Sequence, residues 1–161
     1  MTTEASFVNS ALHGWKSAID RTSKLFGALS EEQLLREIAP GKNRLIYLWG
    51  HLAASNDALL PLLGVGQRLH PELDAMFITN PDRSLPQTLS GEELKRIWNE
   101  INEALLTAVS KFSAEEWLQR HTAVSAEDFA REPHRNRFTV LLGRMAHISY
   151  HYGQAILADR S

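Results

Sequence analysis

The sequence contains no cysteine, which excludes disulfides, thiolate-ligated zinc and a cysteine nucleophile. It has no marked excess of either charge. Lysine and arginine number 17 against 19 acidic residues, for a net charge of -2, so there is no basic footprint for nucleic acid and none is expected as a partner. No apolar run is long enough to cross a bilayer, and no membrane partner is expected. The start, Met1-Thr2-Thr3-Glu4-Ala5-Ser6, lacks the basic residues and apolar run of a signal peptide, which makes the cytoplasm the expected location. Strand-like alternation is missing as well. What remains is a globular composition, 43% apolar and 22% charged over 161 residues, and a single domain over residues 1–161 is expected.

Four segments carry helical periodicity. Val8, Leu12, Trp15, Ile19 and Phe26 share one face of a first helix over about residues 4–26. Leu45, Leu48, Leu52, Leu59 and Leu63 mark a second from 43 to 63, with Pro61 close to its end and Gly64 and Gly66 as a stop. The third opens on Ser90-Gly91-Glu92-Glu93, a capping box, and continues through Leu94, Ile97, Ile101, Leu105, Ala108 and Phe112. The fourth, 137–159, aligns Leu141, Met145, Ile148, Tyr152 and Ile156. Two further capping boxes, at Ser30 and Ser113, predict short helices in the connections. The connection 64–89 holds Pro71, Pro81 and Pro86, which forbid a long helix, and an apolar cluster of Leu73, Met76 and Phe77 that should pack down.

The chemistry concentrates in the fourth helix, at His147-Ile148-Ser149-Tyr150-His151-Tyr152-Gly153-Gln154. Histidines at i and i+4 project from one face, close enough to grip one ion. Ile148 stands where a zinc protease would carry its glutamate base, so that chemistry is disfavoured. Gln154, three residues beyond His151, is placed to orient a bound ligand or cofactor. His51 lies mid-helix in the second segment, within Leu48-Trp49-Gly50-His51-Leu52-Ala53-Ala54. A lone histidine on such a face is usually a satisfied core residue, but three on two inward faces can form an open three-ligand metal site. His13, His70, His121 and His134 have no partner at ligand spacing and read as exposed. Arg131, Arg135 and Arg137 read as solvated surface, or as an anion receiver if their loop folds toward the ion.

Gly50-His51-Leu52-Ala53-Ala54 together with His147-x3-His151-Tyr152-Gly153-Gln154 resembles the paired signatures of the DinB/YfiT-like superfamily. Pro40-Gly41-Lys42-Asn43 and Asn136-Arg137-Phe138-Thr139 match its style before the second and fourth helices. The resemblance implies an all-α four-helix bundle of up-down-down-up topology, a divalent metal such as nickel or zinc on His51, His147 and His151, and frequent homodimers. It also implies relatives that act as transferases or isomerases with a low-molecular-weight thiol. Some relatives carry an acid five positions after the second-helix histidine, where this chain has Asn56 and then Asp57. If that acid orients a ligand or water in the relatives, this chain has lost or changed that role; the preferred reading makes Asn56 and Asp57 ordinary helix-surface residues. The four tryptophans, more than one small core needs, also point to a homodimer. The expected function is a divalent-metal-binding protein whose open site takes a small anionic or thiol-bearing molecule for thiol-linked transfer, isomerisation or hydrolysis. The alternative is a non-catalytic, stress-associated metal- or ligand-binding bundle.

Overall fold

The computed structural model describes residues 2–159, so Met1, Arg160 and Ser161 lie outside the described residues. The first helix, α1 (Thr3–Gly27), starts where the Thr2 hydroxyl accepts the Ala5 N–H, and buries Val8, Trp15, Ile19 and Phe26 on one stripe. The predicted Ser30 box caps a single turn, α2 (Glu31–Leu34). Then comes α3 (Leu45–Asp57), where only Tyr47 and His51 escape full burial. The second predicted helix does not run unbroken to residue 63. Pro61 has no N–H and its ring crowds the carbonyl four residues back, at Asp57, where α3 ends. A short α4 (Leu59–Leu62) follows and is closed by Gly64 at a φ of 72°.

Within 64–89 the expected apolar cluster forms a π-helical turn, Ala75–Thr79, with Leu73 and Phe77 buried. Three attachments hold this segment along α3: Arg68 bridges Asp57 and Asp74, the Tyr47 hydroxyl donates to the Asn80 carbonyl, and Arg44 pairs with Asp82. The helix α5 (Gly91–Val109) starts from the Ser90–Glu93 box. The short turns α6 (Ala114–Trp117) and α7 (Ala126–Arg131) precede α8 (Arg137–Asp159). Among the described residues there are no strands, only two isolated bridge pairs.

The four long helices close a ring in which α1 packs against α5 and α8, and α3 against the same two. Gly14 faces Met145 and Arg21 stacks on Tyr152, so α1 and α8 run parallel. Trp98 donates to Ser23 and Gly27 faces Lys95, so α5 runs against α1. Trp49 lies near Gly91, and Asn56 bonds Asn102, so α3 and α5 run together. The topology is up-down-down-up. All four tryptophans are at most 1% exposed in this one core, with Trp49 stacked on Phe26 at 5.3 Å. Filling the core in this way removes the tryptophan argument for a second chain.

Candidate metal centre

His51 projects from α3 toward α8, and His147 and His151 from one face of α8, which runs antiparallel beside it. The three Nε2 atoms converge: His147 Nε2 lies 3.1 Å from that of His51 and 3.1 Å from that of His151. The three candidate ligand atoms all fall within 4.8 Å of one another, and the side chains are half-buried, so the group could hold a metal ion. Thus the i,i+4 pair of α8 meets His51 across the α3–α8 interface.

The opposite ring nitrogens are held from outside. His51 Nδ1 donates to the Phe77 carbonyl at 3.0 Å, and His151 Nδ1 donates to Gln154 Oε1 at 2.7 Å. An oxygen acceptor at Nδ1 fixes the proton there and leaves Nε2 as a lone pair, the tautomer that ligates through Nε2. Phe77 reaches this position because residue 50 is glycine. A Cβ there would lie closer than 3.0 Å to three carbons of the Phe77 ring. Gln154 lies behind His151, away from the convergence point, and its amide nitrogen donates to the Tyr150 hydroxyl at 3.1 Å.

His147 is held differently. Its Nδ1 lies 3.2 Å from Arg144 Nη1. A guanidinium can only donate, so this nitrogen accepts and the neutral ring carries its proton on Nε2, facing the lone pairs of His51 and His151. The donor set therefore fits a divalent ion at two imidazoles as they stand, and at the third after a change of tautomer. Burial, aided by the charges of His151, Arg144 and His51, pushes the His147 pKa down to about 4. Burial also lowers that of His151, against the Gln154 hydrogen bond and with help from His51. Both rings are held neutral, the form that ligates. Burial lowers the pKa of Arg144 too.

Other expected residues fall elsewhere. Asn56 and Asp57 are fully buried rather than on the surface. Asn56 faces α5, donating to Asn102 at 2.8 Å, and Asp57 accepts from Arg68 and from the N–H groups of Leu69 and His70. Of the four remaining histidines, His13 and His134 are exposed as expected, while His70 and His121 are half-buried. His70 lies between Glu72 and Glu100. Arg131 and Arg135 pair with acids of their own segment, and Arg137 covers Phe112 and donates to the Glu116 carbonyl. The cation at the histidines is Arg144, which the sequence reading missed. Its signal was its place one turn before His147 on the same helix face. The Phe77 carbonyl had no comparable signal, since any residue can supply a backbone acceptor.

An up-down-down-up bundle with three histidines converging between α3 and α8 defines a class of helical proteins with a candidate metal centre. The chain belongs to the DinB superfamily, whose family profile matches residues 15–155. A conserved protein from Enterococcus faecalis, known from a crystal structure, shares the fold with a TM-score of 0.66 at 16% identity, over 99% of this chain and 96% of that one. A search of curated proteins finds no match. Among the described residues no helix is long and apolar enough to cross a membrane.

Proposed function

We propose that this protein binds one divalent ion, zinc or nickel, through Nε2 of His51, His147 and His151. The open side of the ion receives a small anionic or thiol-bearing molecule for thiol-linked transfer or isomerisation. The observation that carries this reading is the convergence of the three Nε2 atoms, with two rings already held in the ligating tautomer by oxygen acceptors behind them. Bound there, the ion would supply Lewis acidity, favouring the deprotonated form of a thiol or acid. His51 and His151 are fixed in orientation by Phe77 and Gln154, and Tyr150 steadies Gln154. Three neutral imidazoles leave the charge of the ion undiminished, which favours an anion. Gln154 serves by holding His151 rather than by touching the ligand.

The test is to load the protein with cobalt and titrate it with 2-mercaptoethanol and with acetate. The reading expects a changed cobalt absorption spectrum that is lost in His151→Ala. A spectrum indifferent to both would identify a closed, structural ion and favour the non-catalytic alternative.

A homodimer formed through α8 belongs to the same proposal. Its outward face presents Leu142, Gly143, Ala146, Ser149, Tyr150, Gly153 and Leu157, all exposed and none charged. A face of this kind suits close approach of a second copy, and Tyr150 would link it to the His151 support. Sedimentation equilibrium should give a dimer for the wild type and a monomer for Ala146→Glu. A monomeric wild type at micromolar concentration would contradict the dimer.

A further inference from the structure

Arg144 occupies the position that the metal reading must disturb. His147 can offer Nε2 to an ion only with its proton on Nδ1, and an Nδ1–H cannot accept from a guanidinium. Arg144 must then turn away from the ring, and no carboxylate among the described residues now pairs with it. The one acid of α3, Asp57, is held by Arg68, as is Asp74 beside the π-helical turn. The Arg144 Nε is buried without a hydrogen-bond partner. A dication and a guanidinium without a carboxylate partner would thus share a half-buried site whose protein ligands are all neutral. Such an arrangement calls for more than one negative charge from outside.

We propose that the ligand of this site is a small dianion, with one anionic group on the open side of the ion and a carboxylate on Arg144. The proposal rests on the metal reading above and narrows its ligand class. A dicarboxylate or a carboxylate-bearing thiol on a short chain satisfies it. The planar fork of arginine suits the carboxylate end, and the same contact occupies the Nε that now lacks a partner. Arg144 is therefore a recognition residue as well as the group that holds His147 in its resting tautomer.

The experiment uses the cobalt-loaded protein at saturating cobalt, titrated with succinate and with butyrate. Both have four carbons and they differ by one carboxylate. Wild type is expected to bind succinate more tightly by on the order of tenfold to a hundredfold, the worth of one charge-assisted contact. Because the ion itself also favours a dianion, Arg144→Met and Arg144→Lys decide the question. The methionine variant should lose most of the preference and the lysine variant should keep part of it. Equal affinities in wild type, or an unchanged preference in Arg144→Met, would overturn the proposal. Cobalt uptake is measured first. A wild type that takes up no cobalt overturns both the metal reading and this one. Cobalt held by the three histidines with an unchanged preference in Arg144→Met overturns this one alone.

Discussion

Replacing Gly50 by alanine tests how the fold builds the centre. The added Cβ would lie closer than 3.0 Å to three carbons of the Phe77 ring. The α3 backbone cannot retreat, because α5 and α8 pack against it on two sides and the π-helical turn on a third. Phe77 must move, and its carbonyl is the acceptor for His51 Nδ1. Overpacking costs about 1–3 kcal/mol, and loss of the hydrogen bond adds about 1 kcal/mol. Alanine returns about 1 kcal/mol through its higher helix propensity. The expected net destabilisation is about 1–3 kcal/mol, a drop in melting temperature of roughly 2–12 °C for a chain of this size. Thermal and urea unfolding measure it, together with zinc affinity, which should fall as His51 loses its support. Phe77→Leu makes room for the methyl, so the double variant should be more stable than the two single effects added together. A Gly50→Ala protein as stable as wild type, binding zinc equally well, would refute this account of how His51 is held.

Two further outcomes follow from buried polar groups. Asn56→Asp places a carboxylate where Asn56 now donates to Asn102, in a fully buried position. It should destabilise the protein by about 2 kcal/mol or more at neutral pH, read from urea unfolding; unchanged stability would mean that the α3–α5 interface is open to water. His70 has a raised pKa: burial pulls it down, but the hydrogen bonds to Glu72 and Glu100 outweigh that. A raised folded-state pKa stabilises fully below the unfolded value near 6.5 and is lost as pH rises through the folded value. The stability lost in His70→Ala should therefore be largest at about pH 5.5 and fade above neutrality, with a size of about 0.2–1 kcal/mol because both glutamates are largely exposed. A deficit that grows with pH would contradict the assignment.

The bundle and the triad were legible because both depend on helical spacing. An i,i+4 pair must share a face, and a histidine within an apolar helix must face either core or partner. Sequence reading lost its grip on α3. That helix is enclosed by α5, α8 and the π-helical turn, so it has no polar face, and a rule that sorts polar residues outward misplaced Asn56 and Asp57. Their burial is supported by Asn102 and Arg68, partners 46 and 11 residues away, which periodicity cannot pair. The break after Asp57 was readable in principle, since Pro61 acts on the carbonyl four residues back rather than at its own position. Arg144 was visible as a residue, but its effect on His147 depends on which ring nitrogen it meets, and only the rotamers decide that.

The central claim is that His51, His147 and His151 form one site. The most direct test is zinc or nickel content per chain, measured on untagged protein after equilibration and removal of free ion, for wild type and five single alanine variants. The account predicts one ion per chain in wild type, in His13→Ala and in His121→Ala, and loss of most of that ion in His51→Ala, His147→Ala and His151→Ala. Equal metal content in all five variants, or none in wild type, would contradict it.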